Sequence, residues 1–463
     1  MKQTNDLGRE PVGRLLFKLA LPAIAAQLIN MLYNIVDRIY IARIPDVGTA
    51  ALGGVGLCFP VIIMITAFSN LFGSGGAPLF SIKRGMGDDT AADTIMNLAF
   101  TMLCLSAVVL TLIGLIFARP ILILFGASSD ALIYARPYLM IYVLGTLPSM
   151  LSTGLNPFIN AQGYSTTGML TVAIGAFTNL VLDPIFIFVF HMGVHGAALA
   201  TILSQTLSAA FVLRFLKTKA ELKIRFLPWK ELTAGWNYIK EIVSLGTAGF
   251  IMLVTNSLVS ICCNSVLSAT GGDLYVSVMT IISSVRQIVE TPIAAISDGS
   301  SPVISYNYGA GRPDRVKKAI ITMSTLALIY TGIAWSVIIL APRALLSIFS
   351  SDEALMGDAI PALKLYFAAF IFMLFQYIGQ TTFKSLNKKK QAIFFSILRK
   401  VVIVVPLTYL LPYTMDFGPN GVFMAEPISN VIGGSLCFIT MLVTVIPELK
   451  RMKQEEANTV HAK

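Results

Sequence analysis

Charged residues are scarce in this sequence of 463 residues. They make up 13% of the chain, whereas soluble domains usually carry about 25%. Apolar residues make up 56%. This balance excludes an ordinary soluble domain and predicts a polytopic membrane protein.

Cysteine is also rare, and its spacing excludes two further classes of protein. None of the five cysteines stands in a CxxC pair or at a metal-ligand distance from a histidine, and all lie in apolar runs: Cys58, Cys104, Cys262, Cys263 and Cys437. Neither a disulfide framework nor a zinc site is therefore expected.

The N-terminus also lacks a short apolar segment followed by a small-residue cleavage site, so we expect the first hydrophobic run to remain as a membrane span.

Long apolar runs fill most of the chain. A helix needs about 20 apolar residues to cross a bilayer, and twelve such runs lie at 15–43, 52–74, 94–117, 137–158, 168–190, 196–216, 240–263, 275–298, 317–340, 360–383, 392–413 and 420–446. The predicted fold class is an all-α membrane protein with twelve transmembrane helices.

The net charge of +10 follows the order of these spans. Lysine and arginine concentrate in alternate connections: 2–14, 83–84, 214–230, 312–318, 384–390 and 450–463. The other connections hold little beyond Arg43, Arg119 and Arg343. Because basic loops stay on the cytoplasmic side, both termini are predicted to be cytoplasmic, and the positive charge requires no nucleic-acid partner.

The two halves of the chain share a residue pattern. An offset of 224 relates one cluster to its copy: Gly75, Pro78, Ser81, Gly85 and Gly87 to Gly299, Pro302, Ser305, Gly309 and Gly311. It also relates Phe125, Pro137 and Tyr142 to Phe349, Pro361 and Tyr366, and an offset of 225 relates Gly196, Ala200, Ser204 and Gln205 to Gly421, Ala425, Ser429 and Asn430. A duplication explains this pattern. Because each half holds an even number of spans, we expect two parallel six-helix lobes related by pseudo-twofold symmetry.

The repeat also sets the expected domain limits. Residues 1–216 form the N-terminal lobe with spans one to six, and residues 240–463 form the C-terminal lobe with spans seven to twelve and a short cytoplasmic tail. The basic stretch 217–239 is then a cytoplasmic interlobe linker. Its Trp229 and Trp236 are expected at the membrane interface.

The fifth apolar run contains an amide and a carboxylate. Asn179 and Asp183 are four residues apart and therefore share one face of a helix. A carboxylate is costly in hydrocarbon, so one in a membrane span usually faces a wet interior and binds something. Pro184 removes the N–H that would bond the carbonyl of Leu180, which predicts a kink beside the carboxylate. We interpret this stretch as an ion site of a membrane transporter.

Two further polar residues fall at a similar depth. In the predicted topology Asp37, Asp183 and Thr201 lie about 12–15 Å from the outer ends of their spans, so these residues and Asn179 can occupy one layer. Their oxygens suit a small hard cation such as sodium, and a desolvated carboxylate can also hold a proton in one conformation and release it in another. The simpler alternatives are an ion pair between Asp37 and Arg38 and ordinary interhelical hydrogen bonds from Asn179 and Thr201. Adjacent residues point to different sides of a helix, which weakens the ion pair.

The chain resembles the multidrug and toxic compound extrusion (MATE) family, and within it the bacterial MepA-like branch. The resemblance covers essentially the whole chain and consists of the two six-span halves, the paired Gly-x-x-Pro-x-x-Ser-x-x-x-Gly-x-Gly turns and the Asn-x-x-x-Asp-Pro of span five. It implies a MATE fold and a sodium- or proton-coupled antiporter that exports organic cations and multiple drugs by rocking of two lobes. In the resembled family, acids and polar groups at matching places in spans one, five and six form an N-lobe cation site, which supports that role for Asp37, Asn179, Asp183 and Thr201.

The resemblance also implies where and with what the protein works. We expect a multi-pass protein of the bacterial cytoplasmic membrane that is a monomer and contacts the lipid bilayer. Organic cations are its expected small-molecule partners. No cofactor is expected beyond the coupling ion, either sodium or a proton.

The second half does not repeat the acidic cluster. The positions 224 residues after Asp37 and Asp183 are Ile261 and Leu407, so a second cation site is in doubt. Charged residues of this half lie elsewhere in its spans: Arg286, Glu290, Arg399 and Glu426.

Several residues are candidates for lining a substrate cavity. Arg286 and Glu290 are four apart, so a simple ion pair between them is the alternative. Glu426 stands 225 residues after Thr201 and is expected to attract a cationic substrate. The complete candidate set combines these charges with polar, aromatic and methionine side chains that suit promiscuous binding: Gln376, Gln380, Glu290, Arg286, Glu426, Met64 and Tyr33.

The predicted mechanism is alternating access, with Pro184 as the hinge that links the cation layer to the substrate cavity. The sequence has no phosphate-binding loop, so an ion gradient and not ATP is expected to supply the energy. One alternative is a flippase for lipid-linked oligosaccharides or lipids, which Arg286 and Arg399 would suit. An intramembrane enzyme is disfavoured, because the sequence lacks HExxH, an intramembrane aspartate-pair motif and an opposed Ser/His pair.

Overall fold

The regular structure of the chain is helical. The computed structural model describes residues 6–45, 47–349, 353–415 and 417–461. The first half contains α1 (Val12–Ala42), α2 (Gly48–Gly56), α3 (Phe59–Gly85), α4 (Asp89–Leu124), α5 (Ser129–Leu144), α6 (Thr146–Ala161), α7 (Ser165–Pro184), the π-helical turn π1 (Ile185–Val189), α8 (Gly193–Thr218) and α9 (Trp229–Ala234). The ends of the two terminal segments predicted to be cytoplasmic, residues 1–5 and 462–463, lie outside the described residues.

The second half begins within the longest helix. It contains α10 (Trp236–Gly309), α11 (Pro313–Leu340), α12 (Pro342–Leu346), α13 (Glu353–Tyr366), α14 (Phe370–Ser385), α15 (Lys389–Ile397), π2 (Leu398–Val404), α16 (Val405–Thr414), α17 (Pro419–Ser429), π3 (Asn430–Gly434) and α18 (Ser435–His461). Helix α10 is broken at Gly272, which has a φ of 69°, a left-handed conformation that glycine adopts at little cost.

Repeated glycines make the turns between long helices. Gly87, between α3 and α4, has a φ of 78°, and its repeat counterpart Gly311, between α10 and α11, has a φ of 65°. Asp88 then caps α4, because its side chain accepts a hydrogen bond from the backbone N–H of Ala91 and satisfies one of the free donors of the first turn. These turns are tight helix connections, as the sequence pattern predicts.

Most of the predicted spans are recognisable as membrane helices. By length and composition, nine helices of the described chain can cross a membrane, and eleven can if each of two bent helix pairs is one span. The bent pairs are α5 with α6, at 57°, and residues 355–366 of α13 with α14, at 46°. The predicted eighth span, 275–298, lies in the part of α10 after Gly272, which carries Arg286, Glu290 and Asp298.

The chain divides into two compact units. Unit 1 comprises Met1–Asp6 and Leu21–Phe250, and unit 2 comprises Leu7–Ala20 and Ile251–Lys463. Helix α1 therefore contributes its first turns to unit 2 and the rest, from Leu21, to unit 1. The lobe limits expected from the sequence, 1–216 and 240–463 with the linker 217–239, stay a prediction.

Unit 1 contains very close helix crossings. A Cβ at Gly246 of α10 would collide with the backbone carbonyl of Leu71 of α3, and a Cβ at Gly75 would collide with the carbonyl of Ile242. Small residues allow helix backbones in membranes to approach this closely. These contacts bring the first part of α10 against α3.

In unit 2 the N-terminal segment is held by polar contacts to the turn before α11. The side-chain amide of Asn307 donates to the carbonyl oxygen of Leu7 at 3.0 Å, and Arg312 donates to that of Gly8 at 2.6 Å. Arg315 donates to the carbonyl oxygen of Glu10 at 2.8 Å. The start of α1 is thus fixed to this unit.

Candidate functional site

The polar stretch of span five lies at the end of α7. The helix changes from α to π geometry directly after Pro184, and such single π turns are frequent at functional sites. Asp183 is completely buried and Asn179 is almost so. Both side chains therefore face protein, as their four-residue spacing and their cost in hydrocarbon predict.

Asn179 joins α7 to α8. Its side-chain amide nitrogen lies 3.2 Å from Oδ1 of Asp183 and 3.4 Å from Oγ1 of Thr201. The Thr201 hydroxyl in turn donates to the carbonyl oxygen of Ala197 at 3.0 Å. Three of the four predicted layer residues are therefore connected by hydrogen bonds.

Asp37 brings a second carboxylate to this cluster from α1. It interacts directly with Asp183, although the two residues are far apart in sequence. Oδ1 of Asp37 and Oδ2 of Asp183 are buried and have no hydrogen-bond partner among the described residues. The guanidinium of Arg38 lies 4.6 Å from the ring centroid of Phe59, a cation–π contact on another side of the helix.

A tyrosine interacts with the two carboxylates, and a glutamine is bonded to that tyrosine. Tyr33, one turn before Asp37 on α1, hydrogen bonds to Gln205 of α8 and interacts electrostatically with Tyr142 and both carboxylates. Gln205 also accepts a hydrogen bond of 2.8 Å from Ser152. Sequence reasoning did not assign Gln205 or Tyr142 to the site, although both are positions that the repeat singles out.

The donor set fits a small cation. Two carboxylates that each have a buried oxygen without a partner among the described residues, a hydroxyl and an amide are hard ligands of the kind that sodium takes. Two adjacent, desolvated carboxylates favour binding of either a cation or a proton. No group of three or more His, Cys, Asp or Glu residues suited to a metal occurs in the described chain. Neutral oxygens would therefore have to complete the coordination of a bound ion.

Unit 2 contains a different buried cluster, which centres on Glu426 of α17. Oε1 of Glu426 lies 3.4 Å from Arg286, 3.2 Å from Arg399 and 3.2 Å from Lys400. Arg286 also contacts Glu290 at 2.6 Å, so the ion pair considered from their spacing is present. The sequence analysis missed Lys400, because a lysine near the end of an apolar run is usually taken for an interfacial residue.

Two π-helical turns supply part of this cluster. Arg399 and Lys400 lie in π2, and Asn430, which accepts a hydrogen bond from Arg399, is the first residue of π3. Tyr366 of α13 contributes its hydroxyl, which accepts from Arg286 at 2.9 Å.

The remaining candidate cavity residues have other surroundings. Gln376 of α14 donates to the carbonyl oxygen of Phe395 at 3.1 Å, and Gln380 donates to Ser396 at 2.9 Å. Both glutamines are buried and join α14 to α15. Met64 of α3 is exposed, and Tyr33 lies beside the carboxylates of unit 1.

The family model described as MatE matches residues 22–185 and 249–410. Among curated relatives, the chain is 25% identical over 443 residues to the multidrug export protein MepA of Staphylococcus haemolyticus, with 95% of each chain covered. It is 24% identical over 450 residues to the FAD transporter of Shewanella oneidensis, covering 95% of this chain and 96% of the relative.

Solved structures share the fold. A multidrug resistance MATE family transporter in an outward-facing conformation superposes with a TM-score of 0.90 at 22% identity, over 97% of this chain and 99% of that one. A MATE in the straight conformation gives a TM-score of 0.90 at 22% identity, over 97% and 100%. The predicted all-α, two-lobe MATE fold is thereby confirmed. The matching family and the relatives' names confirm a transporter in preference to an enzyme.

Proposed function

Because this chain belongs to the MatE family of transporters, we propose that it is a cation-coupled antiporter that exports organic cations and multiple drugs across the cytoplasmic membrane by alternating access. The multidrug export proteins among its relatives support the substrate class. The bacterial cytoplasmic membrane, cytoplasmic termini and a monomeric state belong to the same proposal, and the alternation of basic connections along the sequence supports the orientation.

The observation that carries this proposal is the pair of carboxylates in unit 1, one fully buried and one half-buried. Asp37 and Asp183 interact directly, and each has a buried oxygen without a hydrogen-bond partner among the described residues. When both of these carboxylates are ionised, they repel each other in a poorly hydrated interior. A sodium ion or a proton that enters between them removes this repulsion, so occupancy of the site changes the energy of the surrounding helices.

The position of the cluster supports coupling to a conformational change. Asn179 connects Asp183 to Thr201 of the neighbouring helix, and the change from α to π geometry begins two residues after Asp183. We propose that cation binding repacks α7 at Pro184 and favours one conformation of the transporter. A bound drug must favour the other conformation, because a ligand shifts an equilibrium only through its difference in affinity for the two states.

The first test is ethidium efflux from proteoliposomes that contain the purified protein. Imposed sodium and proton gradients are applied separately, and protein-free liposomes are the control. The proposal expects faster efflux when one of the two gradients is directed opposite to ethidium movement, which also identifies the coupling ion. Efflux that ignores both gradients would exclude a cation-coupled antiporter.

The flippase alternative is less well supported. Two of the relatives are described as a multidrug export protein and an FAD transporter. We therefore propose export of small molecules and retain lipid flipping as the alternative if the efflux test fails.

A further inference from the structure

The polar clusters of the two units occupy repeat-related positions. In unit 1, Tyr142 interacts with Asp37, and Gln205 hydrogen bonds to Tyr33 of the same cluster. Their repeat counterparts Tyr366 and Asn430 accept hydrogen bonds from Arg286 and Arg399 in the cluster of unit 2. Thr201, a member of the first cluster, corresponds in the same way to Glu426, the centre of the second. The duplication has therefore placed a polar site at the same place in each half, although the charged residues differ.

The net formal charge of the unit 2 cluster is positive, whereas the unit 1 cluster contains, among the described residues, two carboxylates and no cation. The unit 2 cluster contains three cations and two carboxylates: Arg286, Arg399, Lys400, Glu290 and Glu426. One formal positive charge is in excess. A further acid–base pair, Asp298 and Lys384, interacts electrostatically and adds no net charge.

This excess charge is deeply buried. Lys400 is 3% exposed, and Glu426 is 4% exposed. An ammonium group has three donors, but within the described chain the hydrogen bonds of Lys400 all go to Glu426, whose Oε1 is shared with both arginines. A buried charge without its own counterion is costly, so this arrangement favours an additional anionic group.

Local backbone geometry and partial side-chain exposure also support a binding site at this cluster. The two consecutive residues Arg399 and Lys400 reach the same carboxylate from a π-helical turn, whose wider geometry is typical of functional sites. A Cβ at Gly433 would lie 2.9 Å from Cγ of Arg399, so glycine there leaves room for the arginine. The side chains of Arg286 and Glu290 are each 19% exposed, so this edge of the cluster is not fully enclosed by protein.

We propose that the unit 2 cluster binds an acidic group, a carboxylate or a phosphate, of compounds that the protein transports. The incoming anion accepts hydrogen bonds from Lys400 and the arginines that now share Glu426, and it neutralises the excess charge. This site extends the substrates from organic cations to acidic and zwitterionic compounds. Export of the bound acidic compound rests on the proposed function, whereas its binding does not, because binding requires no ion gradient.

The test is equilibrium binding of carboxyfluorescein, a fluorescent polyanion, to the purified full-length protein, measured by fluorescence polarisation. The parent is expected to bind, and Lys400→Met is expected to weaken binding about tenfold or more, since it removes a charge-assisted hydrogen bond. Lys400→Arg keeps the charge and is expected to restore most of the affinity. Equal affinity of the parent and Lys400→Met, or no binding by the parent, would overturn the proposal.

A second variant tests the site without relying on a loss of binding, which misfolding could also cause. Glu290→Gln raises the excess to two positive charges at a partly exposed position, so we expect carboxyfluorescein to bind several-fold more tightly. A gain in affinity cannot result from damage to the fold. An unchanged or weaker affinity would contradict a site whose ligand is selected by charge.

Competition identifies the acidic group and separates this proposal from the proposed function. Displacement by benzoate indicates a carboxylate site and displacement by phenyl phosphate a phosphate site, and either result supports the proposal. Displacement by tetraphenylphosphonium alone overturns it. If ethidium efflux ignores cation gradients while carboxyfluorescein binding still depends on Lys400, the proposed coupling fails and the acid site stands.

Discussion

At the scale of single residues, the decisive feature is that one polar side chain joins two helices at the proposed cation site. The spacing of Asn179 and Asp183 predicted their common face from sequence alone. The contact with Thr201 was an expectation from equal depth, and the distances support it. The partners Gln205 and Tyr142 were not assigned from sequence, because a lone polar residue in a span does not reveal which neighbouring helix it meets.

The hydroxyl of Thr201 provides a matched pair of substitutions on α8. Thr201 and Thr206 each donate to a backbone carbonyl four residues earlier, but only Thr201 lies next to Asn179. We expect Thr201→Val to raise the half-saturating concentration of the coupling ion several-fold, because an oxygen of the site is lost. Thr206→Val is expected to leave it unchanged. Ion-dependent efflux measures both, and equal effects would show that the change at Thr201 acts through the helix and not through the site.

At the scale of helices, the repeat predicted more than the apolar runs did. The predicted spans 137–158 and 360–383 are each two helices, broken after Leu144 and Tyr366. Gly145 lies at the first break, and Ala369, its counterpart 224 positions later, lies at the second. The duplication therefore preserves the bend. The apolar runs predicted one span in each place and no bend, since hydropathy measures polarity and not the direction of the helix axis. Of the unit 2 cluster, the charges Arg286, Glu290, Arg399 and Glu426 were named from the sequence, but Lys400 was missed. An α-helical pattern directs Arg399 and Lys400 to different sides, whereas both reach Glu426 from π2.

The crossing of α3 and α10 gives a prediction of stability. A Cβ at Gly246 would collide with the carbonyl of Leu71, whereas a Cβ at Gly249 meets nothing within 4 Å. We expect Gly246→Ala to lower the melting temperature of the purified protein by several degrees, because two helix backbones must separate. Gly249→Ala is expected to change it little, since alanine is the better helix former. Equal melting temperatures for the two variants would show that the crossing relaxes without cost.

At the scale of the whole molecule, the helical membrane architecture, the duplication and the family could be predicted from the sequence. These features depend on composition and spacing along the chain, both of which are visible without coordinates. The contacts within each polar cluster depend on helix rotation and on π turns, which no single-sequence pattern specifies. The structure therefore added most where side chains from several helices meet.

The orientation in the membrane is a prediction at this scale. In a variant without its native cysteines, Thr218→Cys is expected to react with a membrane-impermeant maleimide only after the cells are permeabilised, because the basic connection after α8 is predicted to be cytoplasmic. Ser129→Cys, at the start of α5 and next to the connection from α4, is expected to react in intact cells. The opposite labelling pattern would reverse the proposed direction of transport.

The central claim is that the carboxylates of unit 1 couple a cation gradient to export, and one comparison tests it most directly. Ethidium exchange without any ion gradient and ethidium efflux driven by a gradient are measured in the same proteoliposomes for the parent and for Asp183→Asn. We expect the variant to keep exchange, because its fold and substrate cavity remain, and to lose the response to the gradient. An Asp183→Asn variant that still accelerates efflux with the imposed gradient as the parent does would contradict the claim.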